Sequence, residues 1–160
     1  MERFGPHPDR RPAVVTGASS GIGNATARAL AAAGHPVVLG ARRLAECEET
    51  AAAIRAGGGE ALAVHLDLAD GESVDQFAKA AGDAFDGVEM LVSNAAQNVA
   101  GTVVGTDPEQ FDRVLAVNVS GTHRLVRSIL PAMTARRRGD VVFVTSDVVE
   151  RPRPSMAAYV

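Results

Sequence analysis

Eight residues near the start of the chain, Thr16-Gly17-Ala18-Ser19-Ser20-Gly21-Ile22-Gly23, constrain the fold more than any other stretch. They follow a short apolar run, Ala13-Val14-Val15, and open an alanine-rich helical pattern from Gly21 to Ala33. A strand that enters a helix through a glycine turn is the opening of a β-α-β unit. Gly17 lets the chain leave the strand sharply. Gly21 removes the Cβ that would stand between the backbone and a pyrophosphate, and Gly23 lets the helix pack close to the sheet. The unpaired N–H groups of the first helical turn then face an anion. Three glycines alone are a weak signal; the insert between Gly17 and Gly21, closing on Gly-Ile-Gly, is far more specific.

The rest of the chain repeats the alternation. Pro36 to Ala41 reads as a second strand. Leu44, Cys47, Ala51 and Ile54 recur at helical spacing, and Gly57-Gly58-Gly59 ends that helix. Ala61 to Leu66 is a third strand, Val74, Phe77, Ala81 and Phe85 mark a third helix, and Glu89 to Ser93 is a fourth strand. Asp107-Pro108 starts a helix, with Asp107 as cap and Pro108 at its first position. Helical pattern continues to about Arg136, with a bend expected near Asn118 and a kink at Pro131. Asp140 to Thr145 is the fifth strand. Near-continuous apolar strands separated by helices predict a doubly wound parallel α/β sheet of Rossmann type, in the order 3-2-1-4-5.

Composition narrows the function classes. With 160 residues, a formal charge of −3 and 46% apolar residues, the chain suits one soluble domain with a real core. The mildly acidic balance gives no reason to expect nucleic acid as a partner, and no apolar run is long enough to span a membrane. Residues 1–11 read as a loose polar tail and 12–160 as the domain. No signal peptide is evident, and the single cysteine, Cys47, fits a reducing, cytoplasmic setting. His7, His35, His65 and His123 lack metal-ligand spacing, so no metal is assigned. Arg136-Arg137-Arg138 reads as a solvated helix end. Lys79 is the only lysine.

Several ordered motifs together resemble the short-chain dehydrogenase/reductase family, over roughly residues 12–160. Thr16 to Gly23 is similar to its glycine turn, and Asp67-Leu68 to its adenine-contacting pair. Ser93-Asn94-Ala95-Ala96 resembles its Asn-Asn-Ala-Gly motif with two departures, Ser93 and Ala96. Asn118 stands where the family places a catalytic asparagine. Ser146 precedes Tyr159 by thirteen residues, the spacing of the family's catalytic serine and tyrosine. The family's lysine, four residues after the tyrosine, has no counterpart in this sequence, which ends at Val160. The reading is therefore of a longer reductase cut short. It carries the expectation that the chain folds poorly alone and is inactive, because the fifth strand and the helix through Val119 and Leu130 lose their partners.

The resemblance implies hydride transfer between a nicotinamide cofactor and an alcohol or carbonyl, a small-molecule substrate. Tyr159 would be general acid and base, Ser146 would orient the substrate oxygen, and Asn118 would hold a water in the proton path. Gly17, Ser19, Ser20, Gly21, Ile22, Gly23, Asp67, Leu68, Asn94, Ala95 and Ala96 would bind the cofactor. Gln97, Asp147 and Val148 are expected close to Ser146. The full-length parent would be a homo-oligomer. An NAD(H) site usually ends its second strand on an acidic residue; here Ala41 is followed by Arg42 and Arg43, which favours the 2′-phosphate of NADP(H) over NAD(H). Ser20 departs from the pattern, since many NADP-preferring relatives carry a basic residue there. Two other readings stay open: a dinucleotide-binding module without catalysis, and an inactive truncation product.

Overall fold

The computed structural model describes residues 9–159. Strands β1 (Ala13–Thr16), β2 (Val37–Ala41), β3 (Ala61–His65), β4 (Met90–Ser93) and β5 (Asp140–Phe143) form one sheet in the order β3-β2-β1-β4-β5. Every pairing is parallel, with Val14 opposite Val38 on one side and Leu91 on the other. Helices α1 (Gly21–Ala32), α2 (Leu44–Ala56), α3 (Gly71–Asp83), α4 (Pro108–Leu115) and α5 (Thr122–Arg136) complete the expected α/β architecture.

The two-residue period of a strand divides the core. Ala13, Val15, Val37 and Leu39 turn to one face and meet Ala27, Cys47, Ala51 and Ile54 of α1 and α2. Val14, Val38 and Leu91 turn to the other and meet Val74 and Phe77 of α3 and Leu125, Ile129 and Met133 of α5. A sheet covered on both faces needs apolar residues at successive strand positions, and β1 and β2 are buried along their whole length. Among the described residues no helix is long and apolar enough to cross a membrane.

The bend expected near Asn118 is a π-helical segment, Ala116–Gly121, set between α4 and α5. At its end a Cβ on Gly121 would stand 2.0 Å from the Leu68 carbonyl oxygen, so the helix lies directly on the loop after β3. Asp107 caps α4 as expected, accepting from the Glu109 and Gln110 N–H groups at 2.8 and 3.3 Å. α5 runs unbroken through Pro131.

Three expectations differ in detail. Residues 1–8 of the expected tail lie outside the described residues, while its last residues are tied down: Arg10 pairs with Glu60 at 2.8 Å, and Arg11 with Glu89 and Asp140 at 3.2 and 2.6 Å. Arg138 is not only solvated, for it pairs with Glu89 at 2.7 Å, and Arg136 donates to the Asp86 carbonyl. β5 stops at Phe143 because its partner β4 stops at Ser93; Val144 still donates to the Ser93 carbonyl at 3.0 Å. Val142, Phe143 and Val144 remain exposed along this outer strand.

Candidate active site

The carboxyl ends of β1, β2, β3 and β4 open onto a cleft of about 510 Å³. Gly17, Ser19 and Ser20 line it from the glycine turn, and Arg42 and Arg43 from the loop after β2. Asp67 and Leu68 form its far wall, and Asn94, Ala95 and Ala96 its floor after β4. The remaining predicted cofactor residues, Gly21, Ile22 and Gly23, do not line it. Ile22 is 64% exposed at the start of α1.

The glycines divide by role. Gly17 has φ +67°, and a Cβ there would meet the Asn94 side-chain nitrogen and the Ala95 Cα at 2.8 and 2.9 Å. A Cβ on Gly23 would come within 2.5 Å of the Gly17 carbonyl oxygen and 2.6 Å of the Asn94 side-chain nitrogen, so α1 sits tightly on both the turn and the end of β4. Gly21, at φ +54°, faces open space.

Thr16 holds the floor together. Its fully buried hydroxyl oxygen accepts from the Asn94 and Ala95 N–H groups at 3.0 and 2.9 Å. The Asn94 side chain returns the tie, donating to the Thr16 carbonyl at 3.0 Å. Asn94 therefore fastens β4 to β1 with its amide and offers the cleft its remaining surface.

The two arginines are held differently. Arg43 donates from Nη2 to the Ser19 and Ser20 hydroxyl oxygens at 3.1 and 2.9 Å. Its guanidinium thereby brings a cation to Ser20, the position where the sequence lacked one. The Arg42 side chain lines the cleft and makes no hydrogen bond or ion pair with protein among the described residues. The result is one guanidinium anchored to the turn beside another with all its donors available.

A second pocket, about 210 Å³, adjoins the cleft and shares Ala95 and Ala96 with it. Ser146, Tyr159 and Asn118 all line this pocket, so residues far apart in sequence meet at the ends of β4 and β5. Ser146 caps the short 3₁₀ turn Asp147–Val149, its hydroxyl accepting from the Val148 N–H at 3.4 Å. Asn118 is placed by the π segment. Its Oδ1 accepts from the Gln97 N–H at 2.8 Å, and its Nδ2 donates to the Gln97 carbonyl at 2.9 Å. Both ends of the amide thus tie the π segment to the backbone of the loop after β4.

Of the residues expected near Ser146, Val148 lines its pocket. Gln97 lines the larger cleft instead, and Asp147 lines neither, pairing with Arg153 at 3.2 Å. Gln97 Oε1 is buried without a hydrogen-bond partner, an orphaned acceptor in the cleft wall. Among the described residues no group of three His, Cys, Asp or Glu side chains is placed to hold a metal. The sequence reading named Thr16 only as the head of the glycine motif, without its tie to Asn94 and Ala95, and did not single out Val117 or Gly121. Gly121 carries a local signal, a glycine interrupting a helical run.

A parallel sheet of this order, with a glycine turn at β1 and a cleft across the strand ends, defines a Rossmann-type nucleotide-binding fold. The family model for the short chain dehydrogenases matches residues 11–160, and the chain belongs to that family. It is 42% identical over 138 residues to a Streptomyces virginiae protein provisionally named a monensin polyketide synthase ketoacyl reductase. That match takes in 85% of this chain and 53% of the relative, so the chain spans about half the relative's length. Among solved structures it resembles an alcohol dehydrogenase of the archaeon Thermococcus sibiricus complexed with 5-hydroxy-NADP. There the TM-score is 0.89 at 34% identity, covering 94% of this chain and 64% of the other. A metagenomic short-chain oxidoreductase in complex with NADP matches with a TM-score of 0.88 at 36% identity, covering 93% of this chain and 68% of the other.

Proposed function

We propose that the chain binds NADP(H) across the cleft and directs hydride transfer to or from a small alcohol or carbonyl held at Ser146 and Tyr159. The observation that carries this reading is the shared wall at Ala95 and Ala96. It sets a pocket containing a serine, a tyrosine and an asparagine against the end of a cleft built for a dinucleotide. The cleft suits such a cofactor on its own chemistry: an unpaired guanidinium at Arg42 and an orphaned acceptor at Gln97.

Arg42 would hold the 2′-phosphate through its planar fork of donors, with Arg43 keeping the turn in place. The N–H groups at the start of α1 would face the pyrophosphate, and Asp67 the base. When bound, the nicotinamide supplies or accepts the hydride. The Tyr159 hydroxyl gives the substrate oxygen a proton in reduction and takes it in oxidation. The Ser146 hydroxyl donates to the same oxygen and fixes its position. Asn118 keeps the loop after β4 closed beside both.

A second reading is dinucleotide binding without turnover, in which the cleft holds the cofactor and the smaller pocket does no chemistry. NADPH oxidation against a panel of ketones and aldehydes, run beside a binding titration, separates the readings. Turnover lost in Tyr159→Phe and Ser146→Ala, with cofactor binding kept, supports the proposal. Binding with no turnover by the parent protein supports the second reading, and absence of binding contradicts both.

A further inference from the structure

Asp67 is held more firmly than a residue whose only duty is to meet a ligand. Its Oδ1 accepts from the Ala69 N–H at 3.0 Å, and its own N–H donates to the Ser73 hydroxyl at 2.9 Å. Its Oδ2 accepts from Nη2 of Arg113 at 3.3 Å, across 46 residues of sequence. Asp67 lines the cleft, whereas Arg113 does not.

The position of Arg113 follows from the helix that carries it. Arg113, Val117 and Gly121 succeed one another at intervals of four through α4 and the π segment. All three meet the loop after β3: Arg113 through its ion pair, Val117 across the cleft from Leu66 to Leu68, and Gly121 by its contact with the Leu68 carbonyl. The close seat of Gly121 fixes how the helix lies on the loop, and so where the guanidinium of Arg113 reaches.

An ionised carboxylate has about four lone-pair sites, and two are used here by Ala69 and Arg113. The others are left for a donor in the cleft. We propose that Arg113 is a positioning residue for base recognition. From outside the cleft it holds the Asp67 carboxylate in the rotation that presents a free lone pair to the exocyclic amine of a purine. This rests on the reading of the cleft as a dinucleotide site, with the base at Asp67. The ligand chemistry it selects is an amine rather than a carbonyl at that place on the ring. A carbonyl there would set oxygen against oxygen, at a carboxylate held by the Ala69 N–H and Arg113.

The test uses NADPH and its analogue with hypoxanthine in place of adenine, where a carbonyl oxygen replaces the amine. Both report binding through nicotinamide fluorescence. The purified protein should bind NADPH more tightly than the analogue. Arg113→Gln should weaken NADPH binding about three- to tenfold and analogue binding by less than twofold, while Arg113→Lys, which keeps a cation for Oδ2, restores most of the preference. An equal loss for both cofactors would mean a merely structural role, and no loss, or tighter NADPH binding, would mean that the pair does not orient Asp67; either result overturns the inference. Asp67→Asn should remove the preference by itself, and adding Arg113→Gln to it should change nothing further. Failure of the parent protein to bind either cofactor would instead refute the dinucleotide reading beneath it.

Discussion

Gly121→Ala is expected to be among the most damaging single-methyl additions in the molecule. The new carbon would lie 2.0 Å from the Leu68 carbonyl oxygen and 2.7 Å from its carbon. A carbon and a carbonyl oxygen approach to about 3.3 Å even in favourable contacts, so roughly 1.3 Å must open between helix and loop. The two nearest atoms are backbone and the third is the Leu68 Cβ, at 2.8 Å, so no side-chain rotamer can absorb the change. Overpacking of a core commonly costs about 1–3 kcal/mol, and a rigid backbone neighbour puts this site at or above the upper end. At about 3 kcal/mol, and some 2–4 °C per kcal/mol for a chain near this size, the melting temperature should fall by roughly 6–12 °C. Thermal unfolding followed by circular dichroism measures it. Gly82→Ala is the control: nothing lies within 4 Å of its Cβ position, it sits inside α3, and removing a helical glycine should stabilise by about 0.5–1 kcal/mol. The same substitution thus has opposite signs at two helical glycines. A Gly121→Ala melting temperature within 2 °C of the parent, about 1 kcal/mol or less, would refute the claim that this contact is rigid.

Thr16→Val should destabilise by about 2–4 kcal/mol, measured by urea unfolding, because it leaves the Asn94 and Ala95 N–H groups without their acceptor. Asn118→Ala should lower kcat more than it raises KM in the NADPH assay, since it frees the Gln97 backbone and lets the pocket floor move. The Cys47 thiol is fully buried, and burial first, then the nearby Glu46 carboxylate, pushes its pKa above the ordinary value. Raising the pKa lowers the thiolate fraction at every pH, so the folded protein should resist iodoacetamide at neutral pH and react only in denaturant. Mass spectrometry reads that outcome.

The strands were legible because a covered parallel sheet demands continuous apolar runs, which β1 and β2 supply in full. The glycine turn was legible because its backbone demands leave few other residues able to serve. The fates of Gln97 and Asn118 were not legible. Spacing brings both to the strand ends, but only the π segment decides that the Asn118 amide closes on the Gln97 backbone. The tie that Thr16 makes was hidden for a related reason: a threonine at a strand end has many uses, and its partners lie 78 and 79 residues away. Arg113 reads in sequence as an ordinary helical surface charge, and its partner Asp67 lies 46 residues away.

Calorimetric titration of NADPH and NADH into the parent protein and Arg42→Asp tests the central claim most directly. A charge-assisted hydrogen bond contributes about 1.5–3 kcal/mol, so a 2′-phosphate held by Arg42 should give NADPH roughly a ten- to hundredfold advantage over NADH at one site per chain. Arg42→Asp should reverse the order, because the new carboxylate repels the phosphate and accepts from the ribose hydroxyls instead. Equal affinities in the parent protein, or a preference unmoved by the substitution, would contradict the assignment of this cleft to NADP(H).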